Sequence, residues 1–162
     1  MALALELSGK DADFEKVQKT IQNIELELDI PLKRISPQQV NSFEEIIDRI
    51  SKVWEGIVQI DHQITDAPHF ADLVLFSNVA TILEEAVTNA VRHGQATKVL
   101  IDINHSSDEI ISIRVTDNGN GIKTNYTGLG TGLITSICGN NWSIFNSDDG
   151  NGATLVANMP KR

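Results

Sequence analysis

The sequence predicts an α+β two-layer sandwich, in which a mixed, mostly antiparallel sheet carries helices on one face and follows an N-terminal helix. Two observations support this fold class. Segments with helical periodicity interleave with segments of strand alternation, in the order helix, strand, helix, strand, strand, helix, strand, strand. The strands of the second half are joined mainly by short polar turns, which connect antiparallel neighbours. Helices and hairpins in this order favour a sheet covered on one side.

The overall composition is that of one soluble domain without nucleic-acid-binding character. Of the 162 residues, 41% are hydrophobic and 22% are charged, which is ordinary for a globular domain. The net charge of −9 argues against nucleic acid as a partner, because nucleic-acid binders need basic patches. The one cysteine, Cys138, excludes an internal disulfide. Since no apolar run reaches the roughly 18–20 residues of a membrane span, we expect a cytoplasmic chain, to which segments absent here could add a membrane anchor.

A heptad-like pattern predicts the first helix, over about 11–30. Its apolar residues are spaced alternately by three and four positions: Phe14, Val17, Ile21, Ile24 and Leu28. Pro31 ends this helix, and we interpret 32–41 as a linker. Two heptads are fewer than a free coiled coil requires. The helix therefore either packs on its own domain or belongs to a helical bundle or dimer interface.

Periodicity and turn residues predict the remaining elements. Ser42 and Glu45 form a capping-box pattern before the second helix. The run Asp148-Asp-Gly-Asn-Gly152 predicts the turn of a closing hairpin. Helices are predicted over 43–54, 73–93 and 131–138, and strands over 57–64, 98–104, 110–117, 142–146 and 153–159.

A carboxylate stands at the end of a strand, on its buried side. Asp117 is in phase with Ile111, Ile113 and Val115. A lone buried carboxylate is costly unless it is hydrogen-bonded. The glycines of Asn118-Gly119-Asn120-Gly121, which follows, permit a tight turn and the close approach of a flat ligand. Asp117 could accept a hydrogen bond from an exocyclic amine of such a ligand, although the segment alone favours a simple strand-ending turn.

A second glycine cluster, Gly128-Leu-Gly130-Thr-Gly132-Leu133, opens a predicted helix. Backbone N–H groups at a helix N-terminus can bind an anion, and glycines let a phosphate approach the main chain. The cluster is no Walker A loop, because it lacks the Gly-Lys-Ser/Thr ending. It also lacks the strand-to-helix context of a dinucleotide-binding fold. Alone it is weak evidence for a phosphate site.

The helix predicted over 73–93 carries an unusual polar row. Glu85, Asn89 and His93 are spaced by four residues, which places them on one side of the helix. An Asn oxygen is a competent ligand for Mg²⁺, which prefers oxygen donors and phosphates. Glu85 could hold a water molecule or accept a proton. For the helix alone, a solvated face is the simpler explanation.

Together, the three patterns resemble the GHKL ATPase superfamily, which comprises gyrase-type, heat-shock-chaperone, histidine-kinase and mismatch-repair ATPases. Glu85-Ala-Val-Thr-Asn89 resembles its N box, and Asp117-Asn-Gly119-Asn-Gly121 resembles its first glycine box. Gly128-Leu-Gly130-Thr-Gly132-Leu133 resembles the second glycine box. Gly152-Ala-Thr154 resembles the closing strand, whose Thr lies near the adenine. The resemblance covers roughly 43–160 and implies the Bergerat ATP-binding fold.

This resemblance implies roles for individual residues, with ATP and Mg²⁺ as cofactors. Glu85 would be the catalytic residue that orients or deprotonates a nucleophile or water. Asn89 would coordinate Mg²⁺ on the phosphates, and Asp117 would bind the adenine amino group. The other implied ATP-binding residues are Arg92 and His93 near phosphate or ribose, the glycines Gly119 and Gly121, the backbone of Gly130, Thr131, Gly132 and Leu133 at the phosphates, and Thr154.

Further details resemble the catalytic part of a bacterial two-component sensor histidine kinase with Glu at the first N-box position. They are Trp54-Glu-Gly before the first strand, Arg92-His93-Gly94 after the N box, and a short lid over 122–127. The resemblance implies that 1–36 is a remnant of the dimerisation and phosphotransfer helix, through which a homodimer could form, and that 37–162 is the ATP-binding domain. This domain would donate the γ-phosphoryl group to a histidine, for relay to a response regulator.

One feature departs from the kinase pattern. The phosphoacceptor histidine sits on a helix and is usually followed by an acidic residue, whereas His62, His69, His93 and His105 are followed by Gln, Phe, Gly and Ser. We therefore expect the phosphoacceptor helix outside this sequence, unless the chain is a stand-alone relative. The alternative function is an anti-sigma-factor serine kinase of the same superfamily, against which the heptad helix and linker weigh. A third hypothesis is a degenerate nucleotide sensor, and the intact N box and glycine boxes argue against it.

Overall fold

The computed structural model describes residues 42–65, 73–107, 110–122, 129–147 and 150–160. All of them belong to one compact unit, Ile35–Arg162. The helix predicted over 11–30 and the linker predicted over 32–41 lie outside the described residues. The division of the chain into 1–36 and 37–162 therefore stays a prediction.

The described residues form three helices and five strands. In chain order they are α1 (Phe43–Val53), β1 (Gln59–Thr65), α2 (Leu73–Arg92), β2 (Lys98–Ser107), β3 (Ile110–Asp117), α3 (Leu129–Cys138), β4 (Trp142–Asn146) and β5 (Ala153–Pro160). Each element predicted beyond residue 42 is present with the predicted type. The first residues of the elements differ from the predicted ones by at most two positions: β1 begins two residues later than predicted, and α3 begins two residues earlier.

The sheet is mixed and mostly antiparallel, as predicted. Its strand order is β1-β2-β3-β5-β4. Strands β1 and β2 are parallel. Helix α2 connects them and returns the chain to the end of the sheet at which β1 began, so that both strands run in the same direction. The other neighbouring pairs are antiparallel. Helix α3 connects β3 to β4, and β5 then returns to pair with both of these strands.

One face of the sheet packs against the helices and forms the core. Every second residue of the central strands is buried on this face: Val99, Ile101, Ile103, Ile111, Ile113, Val115, Leu155, Ala157 and Met159. The edge-to-face contact of Phe43 and Phe76, with ring centroids 5.3 Å apart, joins α1 to α2. On the other face Leu100 and Arg114 are exposed. The described unit is thus an α+β two-layer sandwich, which confirms the predicted fold class.

The ends of the helices follow their local sequence. Ser42 Oγ accepts a hydrogen bond from the Glu45 backbone N–H, at 3.2 Å, so the predicted N-cap of α1 is present. Helix α2 ends at Arg92, and the left-handed residue beyond it is Gln95, with φ 54°, rather than Gly94. None of the helices that the structure describes has both the length and the apolar character needed to cross a bilayer.

Candidate functional site

A cleft opens between α2, α3 and the adjoining strand ends of the sheet. Its walls are mainly apolar, formed by side chains that include Ile122, Ile134, Trp142, Ile144 and Leu155. Four polar side chains line it: Asn89, His93, Asp117 and Thr131. These four come from the three separate sequence patterns. The fold therefore brings the predicted polar row, the first glycine turn and the second glycine cluster to one site.

Asp117 ends strand β3 as a half-buried carboxylate at this cleft. Its Oδ1 accepts a hydrogen bond from the Gly119 backbone N–H at 2.7 Å. Burial raises the pKa of Asp117, while hydrogen bonds from the Gly119 and Ala153 backbones act to lower it. A carboxylate that is poorly solvated in this way remains a strong acceptor for a donor that enters the cleft.

Glycines allow the chain segments around Asp117 to approach closely. Gly152 has φ 82°, and a Cβ atom added there would collide with the Asp117 carbonyl oxygen. A Cβ atom added at Gly119 would collide with the Gly94 carbonyl oxygen, which accepts a hydrogen bond of 2.7 Å from the Asn120 backbone N–H. Side chains larger than hydrogen are therefore excluded from both positions.

Asparagine side chains hold the turn after β3 in place. Asn118 Oδ1 accepts hydrogen bonds from the backbone N–H groups of Thr97, at 3.0 Å, and Lys98, at 2.9 Å. Asn146 Oδ1 accepts one from the Ile122 N–H at 2.6 Å. The first glycine turn is thus bonded to the start of β2 on one side and to the end of β4 on the other. The sequence patterns gave no role to either asparagine.

The polar row of α2 is present, and two of its three members line the cleft. Asn89 Nδ2 donates a hydrogen bond of 2.8 Å to Glu85 Oε1. Glu85 itself is half-buried and lies beside the cleft rather than in its lining. His93 is exposed and lines the cleft one turn further along, whereas Arg92 does not line it. The Asn89 side-chain oxygen is left to accept from a donor or to bind a cation.

Residues 129–133 of the second glycine cluster form the first turns of α3. Because the helix begins at Leu129, Gly130 and Thr131 lie in its first turn, whose backbone N–H groups point out of the helix end. Thr131 lines the cleft, while Gly132 and Leu133 are exposed. The predicted lid, apart from Ile122, lies outside the described residues. A helix N-terminus therefore meets the cleft at the side where an anion would be bound.

Thr154, which the resemblance places near the adenine, is not among the residues that line the cleft. Its Oγ1 lies 3.3 Å from both Thr116 Oγ1 and Ser147 Oγ, on the sheet face opposite the helices. Side chains alternate along a strand, so β5 presents Ala153 and Leu155 to the cleft instead. The residue of this strand that reaches Asp117 is Ala153, through its backbone.

Sequence reasoning also missed the apolar residues that complete the walls. Trp142 and Ile144 line the cleft from β4, and Trp142 Nε1 donates a hydrogen bond of 3.0 Å to Thr135 Oγ1 of α3. Their alternation with Ser143 and Phe145 was the signal that could have assigned them to one face. They make one wall suited to a flat, apolar ligand surface.

The side chains at the cleft fit a metal ion only if a ligand supplies most of its donors. No cluster of three or more His, Cys, Asp or Glu side chains able to hold a metal ion occurs in the part of the chain that the structure describes. Asn89 Oδ1 is one hard oxygen donor at the cleft. Mg²⁺ is commonly held by one or two protein oxygens together with phosphate oxygens and waters, and this donor set fits that arrangement.

Several solved structures are similar to this chain in fold. The ATP-binding domain of PrrB from Mycobacterium tuberculosis is similar in fold, with 22% identity and a TM-score of 0.59 over 75% of this chain and 95% of that one. The histidine kinase AdeS of Acinetobacter baumannii has 18% identity and a TM-score of 0.55, over 91% and 81%. Full-length ShkA in complex with AMPPNP has 17% identity and a TM-score of 0.58, over 78% and 32%.

The sequence itself matches one family over 77–160. That range is more than half of the 162 residues, and it contains the polar row of α2, the glycine turn after β3, the glycine cluster of α3 and strand β5. The family is described as histidine kinase-, DNA gyrase B- and HSP90-like ATPases. The cleft and its polar side chains lie within the matched range. The chain belongs to this family of ATPases.

Proposed function

We propose that this chain is the ATP-binding catalytic domain of a sensor histidine kinase. In this proposal it binds ATP with Mg²⁺ and donates the γ-phosphoryl group to a histidine on a separate helix, for relay to a response regulator. The observation that carries the proposal is the Asp117 carboxylate, which is half-buried at an apolar cleft and accepts a hydrogen bond on Oδ1 from the Gly119 backbone N–H. The family match and the similarity in fold to kinase domains support it.

The apolar part of the cleft suits the adenine base. Asp117 would accept a hydrogen bond from the exocyclic amine, and the walls around Trp142 and Ile144 would contact the ring. Guanine carries a carbonyl oxygen where adenine carries this amine, so guanine would bring two acceptors together. The site is therefore expected to prefer adenine, because an unpaired buried acceptor is costly.

The polar end of the cleft suits the phosphates. Asn89 Oδ1 would hold Mg²⁺ together with phosphate oxygens, and this ion would neutralise phosphate charge when bound. The first-turn amides of α3 around Gly130 and Thr131 would donate to phosphate oxygens, with His93 beside them. Because the chain has a net charge of −9, these local groups must offset the unfavourable field that a polyphosphate would meet.

Phosphoryl transfer would rest on positioning and charge neutralisation more than on covalent chemistry by the domain. The proposed partners are a phosphoacceptor helix of the same or another kinase chain, a response regulator, and a second copy that binds through the N-terminal helix. We place the ATP-binding domain at 37–162 and the helical remnant at 1–36, in the cytoplasm.

Replacing Asp117 tests the nucleotide site. We expect Asp117→Asn to weaken ATP binding about 10- to 100-fold, because a charged acceptor of the amine is replaced by a neutral one with two competing donors. Calorimetric titration of wild type and variant measures this. Asp102→Asn is the matched control, since this half-exposed carboxylate belongs to the solvent-facing side of β2. Equal ATP affinity of wild type and Asp117→Asn would contradict the assignment.

The same three proteins test the finer proposal. Each is incubated with γ-labelled ATP and a separate helical fragment that carries a histidine followed by an acidic residue. Wild type and Asp102→Asn are expected to produce acid-labile phosphate on the fragment, and Asp117→Asn much less at subsaturating ATP. Acid-stable phosphoserine on a partner protein would instead identify a serine kinase and contradict the histidine-kinase proposal.

A further inference from the structure

We propose that Glu85 is a positioning residue, which fixes the side-chain amide of Asn89 so that its oxygen, and not its nitrogen, faces the cleft. The inference rests on the proposed function, since the direction of the amide matters only when Mg²⁺ on ATP phosphates is the ligand. It assigns Glu85 a different role from the proton acceptor or water holder that the family resemblance implies.

The geometry of the pair supports this role. Glu85 and Asn89 are one turn apart on α2, and Asn89 Nδ2 donates to Glu85 Oε1 at 2.8 Å. The amide group is planar, with its oxygen and nitrogen on opposite sides of the Cγ atom. A bond that holds Nδ2 on the Glu85 side therefore turns Oδ1 away from Glu85. Since Asn89 lines the cleft and Glu85 lies beside it, the oxygen is the atom offered to a ligand.

The chemistry of the partner determines which way the amide points. An ionised carboxylate can only accept hydrogen bonds, so it pairs with the Asn89 nitrogen and never with its oxygen. The terminal torsion of asparagine is broad, and without a partner the amide can present either atom. An N–H pointing at a cation is repulsive, and Mg²⁺ demands oxygen donors in a strict geometry. Glu85 therefore selects the one amide orientation that can bind the ion.

Among the described residues, Glu85 is the side chain that accepts a hydrogen bond from the Asn89 amide. Next to Asn89, the helix presents Ala86 and Ala90 to the cleft, and neither has a hydrogen-bonding side chain. His93, just beyond the end of α2, is the other polar residue next to Asn89 in the lining, and its backbone N–H donates to the Asn89 carbonyl oxygen at 2.9 Å. The direction of the Asn89 amide consequently depends on Glu85.

The test compares two substitutions of Glu85. ATP affinity is measured by calorimetry for the whole chain, once with Mg²⁺ and once with EDTA. The ratio of these two affinities is the factor by which Mg²⁺ strengthens ATP binding, and we call this factor the gain due to Mg²⁺. Glu85→Ala is expected to reduce this gain about 10- to 100-fold, as the loss of a group that orients a metal ligand usually does. Glu85→Gln is expected to lose only about two- to threefold of it, because the Gln carbonyl still accepts from Asn89 Nδ2, while the Gln N–H₂ group, which can donate to Asn89 Oδ1, also permits the reversed orientation. Asn89→Ala sets the value for complete loss.

Controls separate this role from others. Glu84→Ala removes the neighbouring carboxylate of α2 and is expected to leave the gain unchanged, while ATP affinity in EDTA reports whether each variant keeps its cleft. An unchanged gain in Glu85→Ala would overturn the proposal. Equal losses in the Ala and Gln variants would also overturn it, since only the Gln side chain can hydrogen-bond the Asn89 amide, and equal losses would show that this bond does not support binding. If wild type fails to bind ATP, the proposed function itself is wrong, and this inference is wrong with it.

Discussion

Burial raises the pKa of the Asp117 carboxyl group, whereas hydrogen bonds from the backbone lower it, and burial is the larger effect. Its pKa is consequently raised above 3.8, so the ionised form is less favourable in the folded protein than in the unfolded chain. The residue that is best placed to bind a nucleotide therefore lowers the stability of the empty domain. Functional sites commonly contain such a conflict between stability and binding.

This conflict predicts a pH dependence of stability. Since the folded pKa of Asp117 is raised, its stabilising contribution is complete below pH 3.8 and is lost as the pH rises through the folded value. Asn at this position has no such dependence. The free energy of unfolding of Asp117→Asn, measured without nucleotide, is therefore expected to rise relative to wild type as the pH increases across this window, and then to level off. Urea unfolding of both proteins from pH 3.5 to 7 measures the difference, and a constant difference would contradict the prediction.

At the scale of elements, the cleft depends on how closely strand β5 and the turn before it approach the end of β3. Thr116 pairs with Thr154 in the ladder, so the next residues of both strands, Asp117 and Ala153, meet at the edge of the cleft. Gly152 makes this possible, because it combines a left-handed backbone with the absence of a Cβ atom. The position of the Asp117 carboxylate is thus set by a contact between two strand ends.

Substituting glycines before β5 tests this contact. Gly152→Ala is expected to lower the free energy of unfolding by about 2–5 kcal/mol, from left-handed strain together with a collision against the Asp117 backbone. Gly150 has a similar backbone, with φ 76°, and nothing within 4 Å of an added Cβ atom. Gly150→Ala should therefore cost only about 1–2 kcal/mol, from strain alone.

Chemical unfolding and ATP titration of both glycine variants check this prediction. Gly152→Ala is also expected to weaken ATP binding, because Asp117 must move, whereas Gly150→Ala is expected to bind ATP like wild type. Equal costs at the two glycines would show that the collision contributes nothing and that the strand ends can separate freely.

For the whole molecule, the sequence allowed most of the fold to be predicted because alternation and periodicity report directly on burial. Ile111, Ile113 and Val115 alternate with polar residues, and all three are buried on the helix side. In the described sheet, the hairpins and the parallel pair of β1 and β2 follow from the lengths of the connections. The glycine-rich segments and the row around Asn89 indicated a site because ordinary helices and turns seldom need these residues together.

The parts that could not be predicted depend on register and on contacts between distant segments. Ala153, Thr154 and Leu155 are all buried, so local alternation does not reveal which of them faces the cleft. Pairing with Thr116 sets Thr154 on the other face, and this pairing spans 38 positions of the sequence. The bond between Asn146 and the Ile122 N–H likewise joins residues whose proximity no local pattern indicates.

The last prediction concerns the part of the chain that suffices for nucleotide binding. All described elements and the complete cleft lie within the compact unit Ile35–Arg162, which contains an apolar core of its own. A fragment of 35–162 is therefore expected to unfold cooperatively and to bind ATP with the affinity of the whole chain, to within about twofold, since a domain with its own core can fold alone. Calorimetry and thermal unfolding of the two proteins check this. A fragment that is unfolded, or that binds ATP more than about tenfold more weakly, corresponding to roughly 1.4 kcal/mol, would show that residues before 35 contribute to the site.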